Sequence, residues 1–270
     1  MCSDEKPVTY RPHGSQERPR DYIQSLDRAV EILEYLAFSK ESRGLLEISK
    51  ALQLHKTTVH RILGTLSHRG YVQQDPETSR YRIGLRLLEI GDAALQNLDL
   101  RPLHPFLQEL MQHSQETVHL GVLEDFEIVY VDKVESKETI RMYSRLGHRV
   151  PAHCTSMGKM ILAHSPQALV RSLAAEKGLP KFTANTIVDE ETLGHHLDEV
   201  RLQGYAVDDE EYEQNIRCIA GPVFDYKAKI AAAFSISGPK FRMTSQRLRE
   251  LAPLVKEYSQ IMSRALGAVD

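Results

Sequence analysis

The sequence predicts an α+β protein in two parts: an N-terminal winged helix-turn-helix domain, then a linker helix leading into a larger α/β domain with an antiparallel sheet. Three observations predict it. Three amphipathic helical patterns and a short hairpin pattern follow one another within residues 22–84. Beyond residue 100, helical patterns alternate with strands joined by tight turns such as Glu124-Asp125, the habit of an antiparallel sheet faced by helices. The charge also changes sign between the parts: residues 1–84 hold 13 Lys/Arg against 11 Asp/Glu, and the remainder 21 against 26. At 270 residues, 41% hydrophobic and 26% charged, the chain has material for two modest cores.

Residues 1–21 are polar and carry Pro7, Pro12 and Pro19, which predicts a flexible arm rather than a packed element. In SLDRAVEILEYLAF the residues Leu26, Ala29, Val30, Leu33 and Leu36 recur at helical spacing, with Ser25 as the expected N-cap. A short second helix over Leu46 to Leu52 turns Ile48, Ala51 and Leu52 inward. Gln53-Leu54-His55 then leads into a third helix from Lys56 to His68. On that helix Val59, Ile62, Leu63 and Leu66 form the inward stripe. Gly70 ends it, and YVQQ, the turn DPETS and RYRIG read as the two strands of a wing.

From Leu85, LRLLEIGDAALQNLDL predicts a linker helix over residues 85–100 with Leu88, Ala94, Leu95 and Leu98 apolar, suited to packing on a partner chain. Residues 101–270 then read as a helix over Pro102 to Gln115, strands in TVHLGVL and IVYVDKV, and another around IRMYSRL. Helices over Ser156 to Ala163 and Asp189 to Gln203, strands in CIAGPVF and IAAAFSIS, and a closing helix from Ser245 to Ala265 complete the order.

One stretch stands apart chemically. Ser49 to Gln74 contains Lys50, Lys56, Arg61 and Arg69 and no aspartate or glutamate, in a chain whose net charge is −3. Duplex phosphates reward cations through counterion release and repel carboxylates, and the major groove admits a helix. The acid-free stretch spans the elements that approach DNA in a winged helix-turn-helix. Lys56, Thr57, Thr58, His60 and Arg61 lie on the outward face of the third helix; threonines can bond phosphates or bases and arginine can pair with guanine. Tyr81 and Arg82 on the wing are placed for a flanking groove, and Arg18 and Arg20 of the arm suit a minor groove or make no contact at all. Gly64 inside the helix costs about 1 kcal/mol relative to alanine, which points to close approach by a neighbouring helix. The alternative for the whole stretch is a solvated amphipathic helix in a small bundle.

No apolar run is long enough to cross a bilayer and the N-terminus is not signal-like, so the expectation is a cytoplasmic protein without membrane attachment. Cys2, Cys154 and Cys218 form an odd set without a CxxC pair, against a disulfide framework.

HCTSMGKMILA and GYAVDDEEYEQNIRCIAGPVFD, together with the winged helix and linker, resemble the IclR family of bacterial transcription regulators from about Tyr22 onward. Gly204, Asp208, Glu211, Cys218, Ile219, Ala220, Val223, Phe224 and Asp225 stand in register with its signature. ALQNLDL, ETVHLGVL and RMYSRLGHRVP resemble the branch containing the 2-keto-3-deoxygluconate regulator. The resemblance implies a GAF- or profilin-like effector domain; no cofactor and no catalytic residue is expected, and the Cys and His spacings are not those of a recognised metal site. It further implies double-stranded operator DNA and a small carboxylate effector as partners, and a homodimer that pairs into a dimer of dimers. Family effector contacts carry over onto Ser156, Met157, Asp208, Cys218, Ser235 and Ser237. Arg141 and Arg145 are added as charge partners for an acid, Val150 and Met142 as apolar wall, and His119 stays open between pocket and core.

Two departures stand out: Asn215-Ile216 replaces a usual glycine, and Leu45 sits where relatives place a Ser or Thr cap. The reading is therefore a repressor of a sugar-acid or related carboxylate operon. Alternatives are an activator sensing an aromatic or short 2-keto acid, or a regulator holding metal between His119, His153, Cys154 and Cys218. An enzyme using His153, Cys154, Asp208 and Cys218 is disfavoured, since GxSxG, P-loop and GxGxxG patterns are missing from the sequence.

Overall fold

The computed structural model describes residues 23–268, so the arm with Arg18 and Arg20 lies outside the described residues. The chain divides into two compact units between Asn97 and Leu98.

In the first unit, α1 (Gln24–Ala37), α2 (Leu45–Ala51) and α3 (Lys56–His68) precede the antiparallel wing strands β1 (Val72–Gln74) and β2 (Tyr81–Ile83), and α4 (Arg86–Asn97) follows. Their core gathers Ile32, Leu36, Ile48, Val59, Leu63, Leu66, Val72 and Tyr81. Only the C-terminal half of α1 reaches this core, so Leu26 and Val30, expected inside, are exposed, as is Ala51 on α2. Ser25 is no cap either: α1 starts at Gln24, and the carbonyl of Ile23 receives the N–H groups of Leu26 and Asp27.

At α2, Gly44 occupies the N-cap and its N–H is received by Glu47 at 2.9 Å, half of a reciprocal capping arrangement that makes up for the hydroxyl missing at Leu45. The helix-to-helix turn places Gln53 in the left-handed region, φ +53°. The wing turn is closed by Asp75, whose Oδ1 accepts from the N–H groups of Glu77 and Thr78. Gly70 (φ +77°) and Gly84 bring two chain segments together, for a Cβ at Gly84 would lie 2.1 Å from the Gly70 carbonyl oxygen. None of the residues of α4 is buried within the chain; Leu85, Leu88, Ile90 and Leu98, on and around it, are exposed.

The second unit opens with a short 3-10 turn (Arg101–Leu103) and α5 (His104–Ser114), a break in the single helix expected over this stretch. Its sheet has the order β5-β4-β3-β8-β7-β6, antiparallel throughout, from β3 (Thr117–Glu124), β4 (Glu127–Val134), β5 (Arg149–Pro151), β6 (Ala206–Asp209), β7 (Ile216–Phe224) and β8 (Ile230–Pro239). The β3–β4 turn puts both Asp125 and Phe126 at positive φ, the twist-matching form for a two-residue hairpin.

The strand expected around residues 140–146 is absent. Side chains take backbone carbonyls there: Arg242 donates to Ile140 O at 2.7 Å and Lys133 donates to Ser144 O. The next strand begins only at Arg149. The α7 helix (Gln167–Glu176) and β6 escaped the sequence reading, while α6 (Ser156–Ala163), α8 (Glu190–Gln203) and α9 (Ser245–Ala265) lie where the sequence places helices. The α6 and α8 helices cover one sheet face, over Ile128, Tyr130, Ala206, Ala220 and Ala233. On the other face Gly221 meets Val255 of α9 so closely that a Cβ would fall 2.9 Å from it. Among the described residues, no helix is long and apolar enough to cross a membrane.

Candidate functional site

On α3 the buried stripe of Val59, Leu63 and Leu66 fixes which side faces water. Lys56, Thr57, His60 and Arg61 are exposed and Thr58 is half-buried. Arg82 is exposed on the wing, its guanidinium hydrogen-bonded to Gln73 Oε1 at 3.2 and 3.0 Å. The wing is fastened from behind: Arg80 donates to Ser42 O at 3.0 and 2.7 Å and pairs with Glu47 at 2.9 Å. Glu47, the carboxylate just ahead of the acid-free stretch, is thereby committed to holding α2 and the wing. Tyr81 does not face a groove; it is 6% exposed and belongs to the three-helix core. A Cβ on Gly64 would meet nothing within 4 Å, so the close approach expected there does not exist. Gly64 instead shares the open face of Thr57, His60 and Arg61.

In the second unit, strand register builds a polar row on the α6-facing side of the sheet. Asp208 of β6 faces Cys218 of β7, Cys218 faces Ser237 of β8, and Ser237 faces Thr117 of β3. One step along, Ala220 faces Ser235 and Ser235 faces His119. All of these polar groups are buried, and the two serine hydroxyls lie 3.3 Å apart. Ser156 and Met157, also buried, open α6, whose N-terminal N–H groups have no acceptor within the helix. Met157 comes up against β3 where Gly121 leaves space: a Cβ there would fall 3.3 Å from its sulfur. Val150 packs into the same apolar cluster.

Arg141 does not join them. It is exposed, paired with Glu135 at 3.3 Å, and lines a separate surface cleft with Asn215, Lys240 and Phe241.

A charged cluster missed from sequence lies beneath this row. Among the described residues Lys159 is the only buried Lys or Arg. Its ammonium pairs with Glu211 and lies 3.1 Å from His196 Nε2. Burial, helped by Lys159, pushes His196 down to about 4, so it is neutral and accepts from the ammonium. Asp208 Oδ1 accepts the Glu211 N–H at 2.8 Å. Burial raises the Asp208 carboxyl to about 7, with the Glu211 carboxylate adding and Lys159 opposing. One ammonium thus faces two carboxyls, and near neutrality Asp208 is part-protonated and able to donate. Burial pushes the thiols of Cys154 and Cys218 upward, away from thiolate, which leaves neither a nucleophile. The sequence signal for the cluster was a lone lysine in the otherwise apolar SMGKMILA.

Asn215 adopts φ +64°, so the residue in the usual glycine position takes the glycine's left-handed conformation, with its N–H donated to Glu210 at 3.0 Å.

Residues 25–76 match the IclR helix-turn-helix domain, and residues 92–264 match the domain described as bacterial transcriptional regulator IclR C-terminal. The chain belongs to the IclR family. As an IclR-family member it is a DNA-binding transcriptional regulator and not an enzyme. It is 36% identical over 246 residues to the HTH-type transcriptional regulator XynR of Escherichia coli (strain K12), covering 91% of this chain and 98% of that one. With the HTH-type transcriptional regulator KdgR of the same organism it is 37% identical over 255 residues, 94% and 97% of the two chains. The crystal structure of the Thermotoga maritima IclR superimposes with a TM-score of 0.79 at 34% identity, over 90% of this chain and 98% of that one.

Proposed function

We propose that this IclR-family regulator represses an operon for breakdown of a sugar acid or related carboxylate, and leaves its operator when a small carboxylate such as a 2-keto-3-deoxy sugar acid binds the second unit. Lys56, Thr57, Thr58, His60, Arg61 and Arg82 carry the DNA contacts. Ser156, Met157, Asp208, Cys218, Ser235 and Ser237 carry the effector contacts, with Val150 as apolar support. Arg141, exposed and paired, has no part in this pocket. The observation that supports the reading best is the buried polar row facing the α6 N-terminus. Lys159 is tied to Glu211, so the donors to an effector's carboxylate are the first N–H groups of α6, helped by the helix dipole. The resemblance of ALQNLDL, ETVHLGVL and RMYSRLGHRVP to the branch containing the 2-keto-3-deoxygluconate regulator supports the effector class.

The regulator works in the cytoplasm as a homodimer, and as a dimer of dimers, on a pseudopalindromic operator whose half-sites lie about one DNA turn apart. The exposed Leu85, Leu88, Ile90 and Leu98 supply apolar surface for contact between chains. A coupling of about 1–3 kcal/mol gives roughly 5- to 150-fold changes in operator affinity, and linkage requires DNA to weaken the effector by the same factor. The test is fluorescence anisotropy on the promoter DNA beside the gene, across salt concentrations, with 2-keto-3-deoxygluconate titrated in. Salt-sensitive binding reversed by the acid is expected. Binding that ignores salt rejects the reading face; binding that ignores the acid while the acid still binds the protein rejects the coupling.

A further inference from the structure

On the same sheet face stands a histidine that these roles leave unused. His119 of β3 is fully buried, its ring 4.6 Å from that of Tyr130 and its Nε2 2.7 Å from Ser144 Oγ. Its Nδ1 is also buried and has no hydrogen-bond partner. A ring nitrogen left unpaired in dry surroundings costs about 1–3 kcal/mol, so its retention calls for a reason. The charged and titratable groups near it do not supply one. Lys133 is bound to Glu135 and to the Ser144 carbonyl, and the His148 ring stacks with the Tyr130 ring, 5.9 Å from it. Burial holds the imidazole down to about 3, with Lys133 and His148 reinforcing it, so the ring is neutral and offers one hydrogen bond rather than a charge. Across the strand pairing lies Ser235, whose hydroxyl is engaged with Ser237.

Building on the effector pocket proposed above, we infer that Nδ1 of His119, the residue paired across the sheet with Ser235, binds a neutral oxygen of the effector, a hydroxyl or carbonyl on its carbon chain. This end of the pocket is the oxygen-reading end, opposite in character to the helix N–H groups that take the carboxylate. It selects oxygenated chains over alkyl chains of equal length. A site built to hydrogen-bond an oxygen rejects an analogue lacking it, because the protein's own polar groups are then left dry and unpaired.

The test is isothermal titration of the wild-type protein, His119→Phe and His119→Gln with 2-keto-3-deoxygluconate and with 2-ketohexanoate, which has the same chain length and no hydroxyls. His119→Phe keeps a ring against Tyr130 and removes both nitrogens; circular dichroism checks its fold. The wild type is expected to favour the hydroxylated acid. His119→Phe should weaken that acid by about tenfold, the worth of one buried hydrogen bond, and leave 2-ketohexanoate within about twofold. His119→Gln should recover part of the loss, and it stands in if the phenylalanine variant does not fold. Equal weakening of both acids, or an unchanged preference, overturns the assignment of His119 alone and leaves the pocket standing. If neither acid binds the wild type, the effector reading fails and this assignment fails with it.

Discussion

The outward face of α3 and the inward face of the sheet both gather polar side chains, but they treat charge in opposite ways. Lys56 and Arg61 stand in water with no carboxylate from residue 49 to residue 74, ready for a polyanion that brings its own counterions to release. Asp208, Glu211, Lys159, His119 and His196 are buried or half-buried, and burial pushes the carboxyls of Asp208 and Glu211 up and the imidazoles of His119 and His196 down. A surface that binds a long charged polymer gains from net charge; a pocket for a small molecule gains from a charge balance close to zero. Changes on the first face should alter binding with little effect on folding, and changes in the second should alter folding first.

The largest expected effect is therefore in the pocket. Lys159→Met strips the buried ammonium from Glu211 and Asp208 and should cost about 3–5 kcal/mol in urea unfolding, as removing one partner of a buried pair does. Replacing Glu211 by leucine in the same chain should recover much of it. Next comes a pH effect. Asp208 is raised from 3.8 to about 7 in the folded protein, so the folded state holds the extra proton across that range. Its contribution to stability is full below about pH 4 and fades as pH rises through about 7. His119 and His196, held low, act with the opposite sign, so the comparison has to be made against Asp208→Asn. That variant should gain stability relative to the wild type between pH 5 and pH 8, read from paired urea titrations; an unchanged difference between the two pH values removes the assignment.

Smaller is the effect expected on the reading face. Arg61→Ala should weaken operator binding by about 1–3 kcal/mol and relax specificity, with unfolding nearly unchanged. Asp208→Ala should do the converse, keeping operator affinity and blunting the effector response. A normal operator affinity for Arg61→Ala in a mobility-shift titration would misplace the face. Smallest is Gly64→Ala. The space around it is open, so the substitution should raise the melting midpoint by an amount worth about 1 kcal/mol.

Much of the architecture was readable where a periodic pattern serves a buried face. The limits of α9 follow the apolar spacing of Leu248, Leu251, Val255 and Met262. The pattern failed where long-range bonds decide. Residues 140–146 have strand-like composition, yet Lys133 of β4 and Arg242, about 100 residues further on, occupy carbonyls there. Leu26 and Val30 repeat at the right spacing, but that spacing says nothing about how far a helix overhangs its core. Within the pocket, register could not be read in advance: that Asp208, Cys218 and Ser237 share a row depends on pairings between strands far apart in sequence. Arg141, a suitable charge partner for an acid by residue type alone, pairs with Glu135 and lines a separate surface cleft.

The crossing of Gly70 and Gly84 has a mechanical consequence. The Gly84 N–H donates to Tyr71 O at 2.8 Å and the Arg86 N–H to Gly70 O at 3.4 Å, with no room for a methyl group between the two glycines. The tail of the third helix and the root of the fourth are thus riveted together. Gly84→Ala should force these two segments apart, and with them the start of α4 from the end of α3, read as a lower melting midpoint.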